Sequence, residues 1–176
     1  METKKGMKQM KQMTQTEQKA HRKFLRSSVM EYPADKPFPL ALDLWPGDGP
    51  TDMSWIRSAE SGAVLFVAST GCEACRLEPA IALMRSHPQL AYGVLLEGDE
   101  EALAHLRAET AGLPDRIFRC DIALLTRQTP IRAIPYMLVL RPDGTAAASG
   151  LFNTYEHAER LARSIAGRDA AKPAAE

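Results

Sequence analysis

The apolar and polar positions of this 176-residue chain fall into three regimes. Residues 1–28 are rich in Lys, Gln, Met and Thr, and few apolar residues recur at helical spacing, so little in the pattern holds this segment in a fold. Residues 29–62 are broken up by Pro33, Pro37, Pro39, Pro46, Gly47, Gly49 and Pro50. Between these breakers Leu40, Leu42 and Leu44 alternate with Ala41, Asp43 and Trp45, the period of a short half-buried strand. Asp52 or Ser54 is suited to cap a brief helix through Trp55 and Ile56. Trp45 and Trp55 read as packing residues for the N-terminal strand.

From residue 63 onward the pattern strengthens. Residues 63–68 (AVLFVA) form a continuous apolar run, as a central strand covered on both faces requires. A helix is predicted to open at the next turn, with Leu77, Ile81 and Met84 on one stripe, and to end at His87-Pro88, because the residue before proline avoids helical geometry. Residues 91–97 (AYGVLLE) predict the next buried strand. Residues 100–111 predict a helix with Leu103 and Leu106 inward, closed by Gly112. A short strand is expected at 117–120, with Asp121 capping the turn or helix after it. Residues 135–141 (PYMLVLR) are apolar again, Pro142-Asp143-Gly144 signals a turn, and 145–150 should return antiparallel. The last helix, 154–166, carries Ala158, Leu161, Ala162 and Ile165 at a 3.6-residue period and is closed by Gly167. There is no internal repeat. Strand–helix–strand–helix followed by strand–hairpin–strand–helix predicts an α/β fold, a central mixed β-sheet flanked by helices. The chain divides into a basic polar arm (1–28), one domain (29–167) and a mobile tail (168–176).

Composition adds exclusions. Apolar residues make up 45 % and charged residues 25 %, ordinary for a folded domain. No stretch approaches the roughly 20 apolar residues of a membrane helix, and three cysteines are too few for a disulfide-stapled miniprotein. The zero net charge is a sum of unlike parts: eight basic and two acidic residues in 1–28 give +6, leaving −6 for the rest. The arm has the basic start of a secretory signal without its apolar stretch. Its clustered lysines suit weak contact with an anionic surface, and no aromatic–basic interleaving supports specific nucleic-acid reading. As written, the sequence reads as a cytoplasmic monomer. The alternative is the extracytoplasmic face of a membrane, should an anchor or export signal be missing from this chain.

Cys72-Glu73-Ala74-Cys75 carries the chemistry. Two cysteines three apart follow a buried strand and open the expected helix. There, unpaired N–H groups and the helix dipole stabilise a thiolate at Cys72, and Cys75, one turn in, is close enough for a disulfide. Such a pair can cycle between dithiol and disulfide, with Cys72 as the exposed attacking thiolate and Cys75 as the buried resolving thiol. Zinc would need two more ligands, and only Cys120 and the scattered His21, His87, His105 and His157 remain. A purely structural disulfide would close a very small loop and stabilise little. No cofactor or metal is expected. Cys120 reads as a buried, inert thiol or as a third redox thiol, His157 as a residue ordering the last helix's start, and Arg76 as a solvated charge.

A second element, Ala133-Ile134-Pro135-Tyr136, lies about 60 residues beyond the cysteine pair, just before a buried strand. With Cys72-Glu73-Ala74-Cys75 it makes the chain resemble the thioredoxin superfamily over roughly residues 37–166. Within it, the chain looks most like bacterial redoxins such as the cytochrome-maturation reductases and the methylamine-utilisation accessory protein. Cys75-Arg76-Leu77-Glu78, Pro142-Asp143-Gly144, and Gly150-Leu151-Phe152-Asn153 with Glu156-His157 carry that finer likeness. The resemblance implies a thioredoxin-like fold, a cis Pro135 lying against the redox pair, and an Ile134 backbone free to pair with a substrate's extended chain, with Tyr136 either lining that groove or filling the core. It also has departures. Gly71 stands where many relatives have Trp, Pro79 comes one residue early, and the anchor is missing. Phe66 occupies the place of a buried acid, which leaves Glu78 as a stand-in proton acceptor.

The leading function is a thiol–disulfide oxidoreductase cycling Cys72–Cys75, with protein thiols or disulfides as substrates and an upstream electron donor. Glu73 beside Cys72 opposes the thiolate and leans the couple towards a reductase. The alternative is a non-enzymatic accessory module that holds a partner's cysteines during maturation. A peroxidase of the same superfamily fits the cysteine spacing poorly.

Overall fold

The apolar run at 63–68 forms strand β3 (Ala63–Ser69), buried along its whole length. In the computed structural model, which describes residues 31–113 and 116–166, β3 is the middle of a five-stranded sheet. Its neighbours are β4 (Ala91–Glu97), parallel, and β6 (Tyr136–Leu140), antiparallel. β5 (Ile117–Arg119) extends the parallel side and β7 (Ala146–Leu151) the antiparallel side, in the order β5-β4-β3-β6-β7. The mixed α/β sheet expected from the sequence is therefore present. The arm at 1–28, the expected cap Gly167 and the tail at 168–176 lie outside the described residues.

Alternation along β3 divides the core. Val64, Phe66 and Ala68 belong to a cluster completed by α1 (Glu78–Ser86), α2 (Glu100–Glu109) and α4 (Tyr155–Ala166). Phe66 stacks on Tyr92 at 6.3 Å between ring centroids and meets Phe152 at 5.2 Å. Ala158, Ala162 and Ile165 of the periodic stripe are buried on α4. Leu65 and Val67 point to the opposite face. There Gly93 lets the Trp55 indole approach: a Cβ at Gly93 would stand 2.8 Å from both Leu65 Cδ2 and Trp55 Cζ2. The Arg116 guanidinium lies 4.7 Å from the Trp55 ring and that of Arg119 lies 3.7 Å from the Trp45 ring, so each tryptophan covers a cation, and Trp55 packs on the central sheet rather than on the N-terminal strand.

Three expectations need correcting at element level. The N-terminal strand is half of a hairpin, β1 (Ala41–Asp43) with β2 (Pro50–Asp52), separate from the main sheet. β2 has no apolar alternation to announce it. The second helix is shorter than 100–111 and ends at Glu109, with Gly112 further on at φ +84°. The first helix begins at Glu78, well after the cysteine turn. Pro79 explains this: a helix opening at Cys72 needs a Pro79 N–H to donate to the Cys75 carbonyl, and proline has none and clashes with that carbonyl. Pro79 is tolerated as the second helical residue, so the helix starts around it.

The Asp121 cap expected from the sequence forms, whereas the brief helix at Ser54–Ile56 has Met53, not Asp52 or Ser54, at its N-cap and no side-chain cap hydrogen bond there. Asp99 Oδ1 accepts from the Ala102 N–H at 2.8 Å. Asp121 Oδ1 accepts from the Ala123 and Leu124 N–H groups at 2.7 and 3.1 Å and starts α3 (Ile122–Gln128). α3 is tied to β1, with Gln128 bonded to both the N–H and the C=O of Asp43.

Candidate redox site

β3, β4 and β5 run parallel, so their C-terminal ends lie at one edge of the sheet, and the antiparallel β6 begins at that edge. This edge of an α/β sheet is where ligands bind. The chain leaves β3 at Ser69 and turns through Thr70 and Gly71 into Cys72. The Cys72 N–H donates to the Ser69 carbonyl at 3.2 Å, and the Cys75 N–H donates to the Cys72 carbonyl at 3.0 Å. The cysteine span is thus a closed turn ahead of the helix. It does not place Cys72 at the helix N-terminus, and the dipole support expected there is correspondingly weaker.

Cys72 and Cys75 form a disulfide, with Cα atoms 5.3 Å apart. Both residues are half-buried. Cys75, expected to be buried, packs against the core cluster without being enclosed by it, because the turn is not inside the first helix. Glu73 is exposed at the crest of the turn. Glu78 is exposed in the first turn of α1. It lines an open cleft of about 290 Å³ beside Cys75, together with Arg76, Leu77, His105 and Glu109. His105 and Glu109 are additions that the sequence did not point to, since α2 reaches this edge only through the fold.

Tyr136 pairs with Val67 across β6 and β3, which sets Pro135 beside the end of β3 from which the cysteine turn departs. The Ile134–Pro135 peptide bond is cis, as the resemblance implied. Ile134 is half-buried and Pro135 buried. Among the described residues the Ile134 backbone makes no hydrogen bond outside strands and helices. Tyr136 is 1 % exposed, so of its two readings the ring fills the core. Its hydroxyl accepts from the Tyr32 N–H at 3.2 Å. Burial, ahead of the hydrogen bonds that oppose it, raises the Tyr136 pKa above the ordinary phenol value.

Cys120 is fully buried at the end of β5. Burial above all, then the nearby Glu97 and Asp121 carboxylates, pushes its thiol up to about 12. His157 is exposed in the first turn of α4, and its N–H donates to Thr154 Oγ1 at 3.3 Å. Among the described residues no group of three or more His, Cys, Asp or Glu side chains is placed to hold a metal ion, and no helix is long and apolar enough to cross a membrane.

Sequence reasoning missed Glu97 and Ser69. They end the two central strands side by side, and Ser69 Oγ–H donates to Glu97 Oε2 at 2.8 Å. The signal was present as a carboxylate closing an otherwise apolar run, AYGVLLE. What it faces depends on the strand register, which the sequence does not print.

No protein-family model matches the chain, and no curated protein matches it. Solved structures do. The thioredoxin domain of a thiol-disulfide oxidoreductase from Bacteroides vulgatus superposes with a TM-score of 0.52 at 14 % identity, covering 74 % of this chain and 98 % of that one. The chain has the thioredoxin fold. A thiol:disulfide interchange protein from a Bacteroides species shares this fold with a TM-score of 0.54 at 12 % identity, over 80 % of this chain and 95 % of its own. A DsbF homologue from Corynebacterium diphtheriae gives 0.53 at 14 % identity, over 77 % and 92 %. At such identities the likeness is one of thioredoxin fold, and the chemistry has to be argued from the residues above.

Proposed function

We propose that this chain is a thiol–disulfide oxidoreductase acting as a protein-disulfide reductase. The observation that carries the reading is the half-buried Cys72–Cys75 disulfide in a turn at the C-terminal edge of the central strand. The catalytic assignments rest on position. Cys72 attacks, because Cys75 is the sulfur packed against the core. The Cys72 thiolate attacks one sulfur of a substrate disulfide, forming a mixed disulfide and releasing the other substrate sulfur as a thiolate. The Cys75 thiolate then attacks Cys72 Sγ, re-forming Cys72–Cys75 and releasing the second substrate thiolate. Two electrons pass to the substrate, and an external dithiol returns the pair to its reduced form.

The substrate chain lies along Ile134 and Pro135, pairing with the Ile134 N–H and C=O in the manner of an added strand. Tyr136 contributes to that surface through the backbone it anchors, since its ring is enclosed. Glu73, within the turn between the two cysteines, and Glu78, three residues beyond Cys75, modulate the pair as neighbouring carboxylates. The direction of electron flow has two supports. A helix that starts only at Glu78 lends Cys72 little of the N-terminal stabilisation that makes a strong oxidant. The Glu73 carboxylate in the same turn further disfavours the thiolate, so the oxidised pair is favoured and the reduced pair is the better donor.

The test is reduction of a model protein disulfide with dithiothreitol as donor, comparing the wild type with Cys72→Ser. Turnover by the wild type that falls to the uncatalysed rate in the variant is the expected result. Absence of turnover in both, with binding of a cysteine-bearing partner intact, would instead identify an accessory module.

A further inference from the structure

Glu97 is half-buried at the end of β4, and its three oxygens face elements of the redox edge. Oε2 accepts from Ser69 Oγ–H at 2.8 Å, and Oε1 accepts from the Ile122 N–H at 3.1 Å. Its carbonyl accepts from the Thr70 N–H at 2.9 Å and from Thr70 Oγ1–H at 3.3 Å. Ser69 continues the chain of contacts: its Oγ accepts from the Gly71 N–H at 3.2 Å, and its carbonyl accepts from the Cys72 N–H at 3.2 Å. Ser69 is only 7 % exposed, so the hydroxyl's bonds face little competition from water. Gly71 leaves the turn without a bulky side chain of its own, and a Cβ there would meet only Ser69 Oγ, at 3.6 Å. The path of residues 69–72 is therefore tied to Glu97 through the Ser69 hydroxyl and Thr70, while the Gly71 and Cys72 N–H groups are held in turn by Ser69. The same carboxylate satisfies Ile122, the N-terminal α3 N–H that Asp121 leaves over.

We propose that Glu97 is a positioning residue of the redox pair: acting through Ser69, its carboxylate holds the 69–72 turn in the conformation that presents Cys72, and it links that turn to the start of α3. The proposal rests on the reading of Cys72–Cys75 as a redox pair. It assigns Glu97 no contact with the sulfurs and no proton transfer.

Charge and linkage can be separated by substitution. In Glu97→Gln the amide oxygen still accepts from Ile122 and the amide N–H still reaches Ser69 Oγ, which keeps a lone pair for Gly71, so the linkage survives without the charge. Glu97→Ala removes both, and Ser69→Ala removes the linkage alone. The readouts are the pH profile of Cys72 alkylation by iodoacetamide in reduced protein and the dithiol–disulfide equilibrium against glutathione. Thermal melting serves as the control for folding. We expect Glu97→Ala and Ser69→Ala each to change the alkylation rate and the equilibrium constant roughly 3- to 10-fold, the factor of one net hydrogen bond. The double variant should be no worse than Glu97→Ala alone, and Glu97→Gln should stay within about 2-fold of wild type. The proposal is overturned by Glu97→Gln behaving like Glu97→Ala, by additive effects of the two alanine variants, or by lowered melting with both readouts unchanged. A wild-type pair that does not equilibrate with glutathione defeats the reductase reading instead, and the alkylation profile still decides the role of Glu97.

Discussion

Phe66 shows what a single position decides. Its ring is fully buried and stacked on Tyr92, which leaves the middle of β3 purely apolar beneath the redox turn. Carboxylates near the pair come instead from Glu73, Glu78 and Glu109 on the surface and from Glu97 at the strand end. The three cysteines are likewise separated by position rather than type. Cys72 and Cys75 are half-buried, whereas Cys120 is enclosed and its thiol lies at about 12. Only the thiolate is reactive. Native protein reduced and then treated with iodoacetamide at neutral pH should therefore take up two labels, at Cys72 and Cys75. The third should appear only on denaturation. A third label in the native protein, read by mass, would contradict the placement of Cys120. At this scale the sequence made the cysteines, Ile134 and Pro135 legible because each belongs to a short contiguous motif. It hid Glu97 and Ser69, which lie 28 positions apart and meet only through the parallel register of β3 and β4.

The elements were legible where one period dominates. β3, β4 and β6 are apolar runs and α4 has a clean stripe, and all four form. β2 was not legible, because Pro50-Thr51-Asp52 is held by its hairpin partner and not by burial of alternate side chains. The start of the first helix was misplaced because an apolar stripe says which face is buried and not where hydrogen bonding can begin; Pro79 settled that. The C-terminal end of α1 and the first half of α4 share a testable lock. His87 at the end of α1 meets Glu159 of α4 at 2.7 Å, and Tyr155 and Arg163 also donate to that carboxylate. Burial raises the Glu159 pKa, but the His87 bond and charge, with the Arg163 and Tyr155 bonds, outweigh it and hold the group below its ordinary 4.5. A carboxylate depressed on folding stabilises the native state fully above its unfolded value, and that contribution is lost as pH falls through 4.5 and then the folded value. Melting temperatures of the wild type and Glu159→Gln should thus differ at neutral pH, with the wild type higher, and converge as the solution is acidified below 4.5. A difference that stays constant down to strongly acidic pH would contradict this lock.

For the molecule as a whole, the order of elements was enough to predict a mixed α/β sheet, and the two motifs together were enough to predict the thioredoxin fold that solved structures share. The cleft between α1 and α2 is a product of tertiary packing, the β1–β2 hairpin of strand pairing and the cysteine turn ahead of the helix of Pro79, and apolar periodicity carries no record of any of them. Net neutrality also dissolves at this scale, since the domain from residue 29 onward bears −6 against the +6 of the first 28 residues. The central claim is that Cys72 and Cys75 exchange two electrons as a reducing couple. Its most direct test is a redox titration of the purified chain against graded ratios of reduced to oxidised dithiothreitol and glutathione, with the state of the pair read by alkylation and mass. One two-electron transition confined to Cys72 and Cys75 is expected, with a midpoint nearer the roughly −270 mV of thioredoxin than the roughly −120 mV of a strong periplasmic oxidant. A pair that shows no transition, or one whose midpoint lies at about −120 mV, would contradict it.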